Sequence, residues 1–158
     1  MPGLNTRSAR LSIIALACLV TGCATVAPPV APEMDARGKT FTVPQGKANI
    51  YLYRNENLSA DALSVYVNGM AAGATGRSTY ILWQVDPGTY DISAGSGDAS
   101  IAHIVAQPGK SYYIWQQVKI DRSLYLLGIV IAGSELHVVN DETGQWGISE
   151  CTRIQSTL

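Results

Sequence analysis

The feature that most constrains the fold is a series of short segments in which apolar and polar residues alternate, closed by turn sequences. Residues 48–54 and 63–67 follow this period of two, which places every second side chain on one face of a strand. Asn68-Gly69 follows the second segment directly. This pair favours a type I′ hairpin turn, because both central residues of that turn need positive φ. The pattern therefore predicts β-structure.

Two further turn sequences contain proline followed by glycine. Asp86-Pro87-Gly88 predicts a type II turn with positive φ at Gly88, and Gln107-Pro108-Gly109-Lys110 predicts another turn. The candidate strands are residues 48–54, 63–67, 80–85, 90–94, 100–106, 111–120, 124–132 and 135–139. Because no helical period separates them, they predict an all-β fold, an antiparallel β-sandwich of about seven to eight strands.

One short helix is expected near the C-terminus, within residues 141–154. Asp141-Glu142-Thr143 fits a first helical turn, whereas Gly144 and Gly147 weaken the pattern. The apolar run at residues 124–132 has two interpretations, a central strand buried on both faces or a second contact with a membrane.

The first 22 residues have the organisation of a secretory signal. Arg7 and Arg10 precede an apolar run at residues 11–20 that contains one polar residue, Ser12. At 1.5 Å per residue such a run spans about 15 Å, half of a bilayer core, which is too short for a retained membrane helix. We therefore expect this segment to be cleaved.

Val20-Thr21-Gly22-Cys23 resembles the lipobox of bacterial lipoproteins. The resemblance implies that residues 1–22 are a lipoprotein signal peptide and that Cys23 is the lipidated N-terminus of the mature chain. Two or three acyl chains anchor a protein stably, whereas one holds it marginally. Ala24 stands where Asp would retain an enterobacterial lipoprotein in the inner membrane, which implies a periplasm-facing outer-membrane location in a Gram-negative source. The alternative is an ordinary signal peptide with a cysteine nearby.

Residues 23–46 are expected to be a linker between the lipid and the domain. Pro28, Pro29 and Pro32 lie among small residues, a composition that favours a stiff, extended spacer. Residues 47–158 would then form the β-sandwich domain.

Composition and charge exclude two classes of protein. An apolar content of 47% with 15% charged residues is too apolar for a disordered chain. Removing Arg7 and Arg10 leaves 9 basic against 12 acidic residues, a formal charge of about −3. Nucleic acid is therefore not an expected partner, because binding it needs a basic surface.

The titratable residues form no pattern typical of an enzyme. His103 shares a strand face with Ile101 and Val105 and is expected to be a partly buried core residue, and its spacing from His137 is not that of a zinc site. Gly95-Ser96-Gly97 lacks the strand-turn-helix setting of a nucleophile elbow. We expect no catalytic residue, cofactor or metal.

Cys151 is the single thiol expected in the mature chain, because Cys18 leaves with the signal and Cys23 is acylated. We expect a small, semi-buried apolar residue with a slowly reacting thiol in a monomeric protein. An intermolecular disulfide and a catalytic thiol are the alternatives. The neighbouring Glu150 disfavours the catalytic thiol.

Aromatic residues define a candidate partner-binding face. Alternation places Tyr113 and Trp115 on one side of their strand, and it places Tyr51 and Tyr53 on the side opposite Ile50. Such rings could stack on a sugar or contact a partner protein. The alternative is that both sheet faces are covered, with the rings stabilising the sheet.

Four strings carry a family resemblance: NIYLYR (49–54), VYVNG (65–69), DPGTYDI (86–92) and PGKSYYIWQQ (108–117). They resemble a domain-of-unknown-function family of small bacterial lipoproteins and, more loosely, PEGA-type surface modules. The resemblance covers about residues 47–142, and it implies a β fold without an activity.

Two classes of function remain. The first is a lipid-anchored periplasmic envelope lipoprotein that acts as a non-catalytic binding or structural module, with an unknown envelope protein or glycan as its partner. The alternative is a small hydrolase or ligand-handling periplasmic protein. Polar residues lie at turn positions rather than around a histidine, which favours the first class.

Overall fold

The computed structural model describes residues 25–56, 62–95, 100–119 and 133–158. These residues contain two helices, α1 (Pro32–Gly38) and α2 (Asp141–Ser149). The strands are β1 (Ala48–Arg54), β2 (Leu63–Val67), β3 (Met70–Thr75), β4 (Thr79–Val85), β5 (Gly88–Ala94), β6 (Ile101–Ala106), β7 (Ser111–Lys119), β8 (Gly133–Val139) and β9 (Thr152–Arg153).

The strands form two sheets, which confirms the predicted all-β sandwich. The larger sheet has the order β8-β7-β1-β4-β9, and the smaller has the order β3-β2-β5-β6. The smaller sheet is antiparallel, whereas β1 pairs with β7 and β4 pairs with β9 in parallel in the larger sheet. The chain enters the smaller sheet between β1 and β4 and again between β4 and β7, so both parallel pairs join strands that are far apart in the sequence.

The main core lies between the sheets and follows from the alternation in the sequence. Ile50 and Leu52 of β1 point inward, where they pack with inward residues of both sheets. The other large members are Val65, Val67, Ile81, Trp83, Ile92, Ile104, Ile114, Leu136 and Ile154. Burial of this apolar surface is the main term that stabilises the sandwich.

Two of the three predicted turns have the expected backbone. Asn68 and Gly69 have φ of 50° and 76°, as a type I′ turn requires. Gly109 has φ of 73°, and Lys110 N–H donates to the Gln107 carbonyl at 3.2 Å. The type II turn predicted at Gly88 is wrong, because Gly88 is the first residue of β5 and Asp86-Pro87 carries the chain from one sheet to the other.

The predicted C-terminal helix is confirmed as α2. Asn140 caps it by accepting a hydrogen bond from the Thr143 N–H at 2.9 Å. The negative charges of Asp141 and Glu142 in the first turn stabilise the helix by their interaction with the positive end of its dipole. The candidate strand at 124–132 and most of Gly95-Ser96-Gly97 lie outside the described residues.

The segment predicted as a spacer packs against the domain. Val30 N–H donates to the Arg153 carbonyl at 3.0 Å, and Pro29 forms an isolated antiparallel bridge with Ile154. Pro32 then begins α1, where its fixed φ and missing N–H are tolerated. In this segment, Pro29 lies in extended chain, whereas Pro32 lies at the start of a helix.

Candidate functional site

The outer face of the larger sheet carries the aromatic residues proposed as a partner-binding face. Tyr51, Tyr53 and Tyr113 are 0%, 2% and 1% exposed. Tyr51 and Tyr113 are register partners in β1 and β7, and their rings stack at 5.2 Å. The expectation of an exposed face at these three rings is corrected. At β1 and at Tyr113 both faces of the sheet are covered, the alternative recognised from the sequence.

Helix α2 covers part of this face through two glycines one turn apart. A Cβ placed on Gly144 would lie 2.7 Å from Cδ1 of Tyr113, and one placed on Gly147 would lie 2.6 Å from Cζ of Tyr53. Carbon atoms do not approach this closely, so the helix backbone rests directly on the two rings. The glycines that weaken the helix in isolation allow it to dock on the sheet.

The phenol groups beneath the helices are held neutral. Burial, with a contribution from Tyr113, raises the pKa of Tyr51 to about 12, and burial raises the pKa of Tyr53 to about 12. Tyr51 donates a hydrogen bond to the Gly38 carbonyl of α1 at 3.0 Å, and Tyr80 donates to the Asp35 carbonyl at 3.2 Å. These bonds fix α1 over β1 and β4.

Trp115, the fourth residue of the proposed face, is half-buried beside β8. Its ring lies 5.4 Å from the imidazole of His137, whose Nε2 is 3.1 Å from Oε1 of Gln117. Trp115 therefore belongs to a cross-strand pair, and its indole is less accessible than the prediction assumed.

His103 is exposed, contrary to the expectation of a core histidine. The alternation in β6 is as predicted, but Ala102, Ile104 and Ala106 form the buried side. Nδ1 of His103 lies 2.7 Å from Oδ1 of Asp91 on the adjacent strand.

Cys151 is buried, with 2% exposure, more completely than the semi-buried position expected from the sequence. Its thiol lies 3.7 Å from the Arg54 carbonyl. Burial, reinforced by the charge of Glu150, raises the pKa of the thiol to about 12. A thiol of this kind is not ionised at neutral pH and is a poor nucleophile.

The proposed lipidation site, Cys23, lies two residues before the first described residue, Thr25. The second described residue, Val26, already contacts the domain. Val26 lies against Gly76, since a Cβ placed on Gly76 would be 2.6 Å from Cγ2 of Val26.

A groove follows the edge of β4, a strand that β9 covers over two residues, Thr79 and Tyr80. Thr152 N–H donates to the Ser78 carbonyl and Ile154 N–H donates to the Tyr80 carbonyl, so the backbone groups of even-numbered residues face this edge. Alternation directs the backbone groups of Leu82 and Gln84 to the same edge. Among the described residues, no strand pairs with β4 there.

Two clefts flank this strand edge, and we call them, with the backbone of residues 82–85, the β4 groove. One has a volume of about 260 Å³ and lies beside α1; the other has a volume of about 460 Å³ and lies beside Tyr90 and Leu158. Arg153 lines both. Its guanidinium is held between them by hydrogen bonds of 3.4 Å to the carbonyls of Met34 and Leu82.

The cleft beside α1 is lined by two arginines, Arg37 and Arg153, and by no acidic residue among those described. Thr40, Thr42 and Gln84 add polar groups to the wall. In the second cleft, Asp86 is neutralised by Lys47 at 2.8 Å. The groove therefore combines an open strand edge with positive charge, which suits an anionic ligand.

No pattern in the sequence predicts this groove. Arg153 and Arg37 lie in short segments without periodicity, and the groove forms because α1 and β9 meet on β4. Within the described ranges no group of three His, Cys, Asp or Glu side chains is placed to hold a metal ion. No described helix is both long and apolar enough to cross a membrane.

Comparison with known proteins gives the family. A family model described as "Protein of unknown function (DUF2846)" matches residues 44–128, more than half of the chain. The chain belongs to the DUF2846 family. The match runs from the approach to β1 through β7, so it includes the strings that carried the resemblance to a family of unknown function.

An uncharacterized protein of Haemophilus influenzae is similar to this DUF2846 chain. The two are 30% identical over 145 residues, which cover 90% of this chain and 82% of the relative. The similarity therefore extends beyond residues 44–128. No solved structure matches the chain significantly.

Proposed function

We propose that this DUF2846 protein is a lipid-anchored envelope lipoprotein that acts as a non-catalytic binding module on the periplasmic face of the outer membrane. The observation that carries the proposal is the motif Val20-Thr21-Gly22-Cys23 directly after a signal-like segment. Ala24 is compatible with export to the outer membrane of a Gram-negative cell. Acyl chains on Cys23 would hold the domain at the lipid surface.

The path of residues 25–30 supports a tight attachment. Two residues extend over at most about 7 Å, so Thr25 would lie within that distance of an acylated Cys23. Val26 already contacts Gly76, and Pro29 is bridged to Ile154. The domain would therefore be seated directly on the bilayer, with the turn at residues 76–78 next to the anchor. This replaces the long spacer that the proline content predicted.

A binding role also agrees with the chemistry of the described residues. Cys151, the thiol that a hydrolase could use, is buried with a raised pKa. The β4 groove instead offers backbone hydrogen-bonding groups and arginine side chains at an accessible strand edge. Such a surface recognises a partner without a reacting group.

The experiment that tests the anchor is intact-mass analysis of the membrane-extracted protein, comparing Cys23→Ser with Cys18→Ser and Cys151→Ser. We expect Cys23→Ser to remain as an unprocessed precursor without acyl mass, while both control variants carry the acyl chains. A mature wild-type chain that begins at another residue, with no acyl mass, would overturn the proposal.

A further inference from the structure

We propose that the β4 groove docks an extended peptide that carries carboxylate groups, by adding it as a strand beside β4. This inference rests on the proposed binding function and names the class of partner. It begins from the edge of β4 at Leu82 and Gln84, where no described strand pairs and where the backbone groups of both residues face the groove. The Leu82 carbonyl accepts a long hydrogen bond of 3.4 Å from Nη2 of Arg153, which an added strand would replace. A peptide in extended conformation satisfies such groups with the hydrogen bonds of an ordinary sheet.

The groove has the length and the walls that a strand needs. The three residue steps from Leu82 to Val85 span about 10 Å at 3.3 Å per residue, enough to pair with about four peptide residues. On one side lies the cleft of about 260 Å³ beside α1, and on the other lies the cleft of about 460 Å³ beside Tyr90. Alternate side chains of an added strand would enter the two clefts.

Charge decides between the possible occupants. Arg37 and Arg153 line the cleft beside α1, and no described acidic residue lines it. A carboxylate entering that cleft would meet both guanidinium groups. A second copy of this chain, paired edge to edge, would instead bring Arg153 towards Arg153 of the copy. Like charges at such a contact oppose association, so we commit to an acidic peptide.

The location of the groove leaves it accessible in an anchored protein. The β1–β4 register places Thr79 opposite Arg54 and Val85 opposite Ala48. The open part of the edge therefore lies towards the Val85 end, whereas the attachment at Gly76 lies beyond the Thr79 end. A peptide could approach from the periplasmic side without displacing lipid.

The test uses the full-length acylated protein in detergent micelles and two fluorescein-labelled octapeptides of alternating Thr and Val. One ends in Glu-Asp and the other in Lys-Lys. Fluorescence anisotropy should show saturable binding of the acidic peptide, at least about tenfold tighter than binding of the basic one. Equal binding of both peptides would contradict the role of the arginines. Absence of saturation by either peptide up to about 1 mM, a very weak affinity, would overturn the proposal.

The decisive variant is Gln84→Pro, with Gln84→Thr as its matched control. Both lose the hydrogen bond from Gln84 Nε2 to Asn49 Oδ1 at 3.3 Å, but proline alone removes the backbone N–H that faces the groove. Proline is tolerated where the N–H of an edge strand faces outward, so both variants should fold. We expect Gln84→Pro to weaken the acidic peptide about tenfold or more, and Gln84→Thr to retain wild-type affinity. Equal affinity of the two variants would exclude strand addition.

Arg37→Gln tests the charge without touching the fold, because Arg37 is exposed on α1. It should reduce affinity for the acidic peptide without weakening the basic peptide, so the preference for the acidic peptide becomes smaller. Analytical sedimentation at the same protein concentrations tests the other possible occupant of the groove, a second copy of this chain. A dimer that Gln84→Pro converts to a monomer would replace the peptide proposal by a self-interface. None of these binding results depends on whether Cys23 carries acyl chains. Failure of the peptide proposal can therefore be told apart from failure of the lipid-anchor proposal.

Discussion

The close contact of α2 with the aromatic face predicts an unusual effect of Gly147→Ala. At an open helix position, alanine in place of glycine stabilises by up to about 1 kcal/mol. Here the new Cβ would lie 2.6 Å from Cζ of Tyr53 and closer still to Cε2, so the helix must move away from the sheet. Overpacking of this kind costs up to about 3 kcal/mol. We therefore expect a net loss of about 2 kcal/mol.

Thermal unfolding followed by circular dichroism measures this loss as a fall in Tm of roughly 6–10 °C for a domain of this size. The matched control is Gly88→Ala. Its added Cβ would meet Tyr90 at an ordinary 3.8 Å, and the residue does not have positive φ. That variant should be neutral or slightly stabilising.

A double-mutant cycle identifies the cause of the loss. Tyr53→Leu removes the ring atoms that the Gly147→Ala methyl would strike, so the double variant should be less destabilised than the sum of the single changes. Gly144→Ala should not be rescued by Tyr113→Leu, because its added methyl strikes Cβ of Tyr113, which leucine retains. A neutral or stabilising Gly147→Ala would refute the packing of α2 and reopen the aromatic face as a surface.

Three further predictions concern titratable groups. Burial raises the pKa of the Asp35 carboxyl, but the Arg153 backbone N–H and Lys39 outweigh it and hold the pKa below 3.8. Its contribution to stability is therefore present above that pH and lost as the pH falls towards the lowered pKa, so Asp35→Asn should remove this part of the acid dependence of unfolding. Tyr51 and Tyr53, with pKa values raised to about 12, contribute stability that is present below pH 10 and lost as the pH rises towards 12; an absorbance titration should show phenolate forming with unfolding. The Cys151 thiol, with a pKa raised to about 12, should react with a maleimide at pH 7 in denaturant and hardly at all in the native protein, and non-reducing gels should show a monomer.

The strands were predictable where alternating residues and special turns coincide. β1 and β2 follow from period two, and the turn after β2 follows from Asn68-Gly69. β3 was missed because its sequence, MAAGAT, consists mainly of small residues without β-branched alternation. The location of Gly88 was misjudged because a Pro-Gly pair can join two sheets as well as close a hairpin.

The candidate site depended on packing that no local pattern reports. Alternation correctly placed Tyr51 and Tyr113 on the side opposite Ile50, but it could not say that two helices cover that side. Similarly, β6 alternates as expected, yet its buried residues are Ala102, Ile104 and Ala106 rather than those beside His103. The β4 groove requires residues near both ends of the chain, Arg37 and Arg153, to meet at one strand.

A pair of fluorescent labels tests whether an acylated Cys23 seats the domain directly on the membrane. The first label is attached at Arg77→Cys, next to Gly76, which Val26 contacts. The second is attached at Lys110→Cys, at the other end of β1, where the Lys110 carbonyl accepts a hydrogen bond from the Asn49 N–H. The five residue steps from Asn49 to Arg54 separate these ends by about 17 Å. The buried Cys151 should not compete for label.

The measurement is energy transfer from each label to acceptor-labelled lipid headgroups, with the full-length acylated protein reconstituted in vesicles. If the domain is seated directly on the bilayer, quenching should be strong at position 77 and clearly weaker at position 110. Equal, weak quenching at both positions, in protein whose acyl mass is confirmed, would contradict the direct seating and restore a flexible tether between lipid and domain.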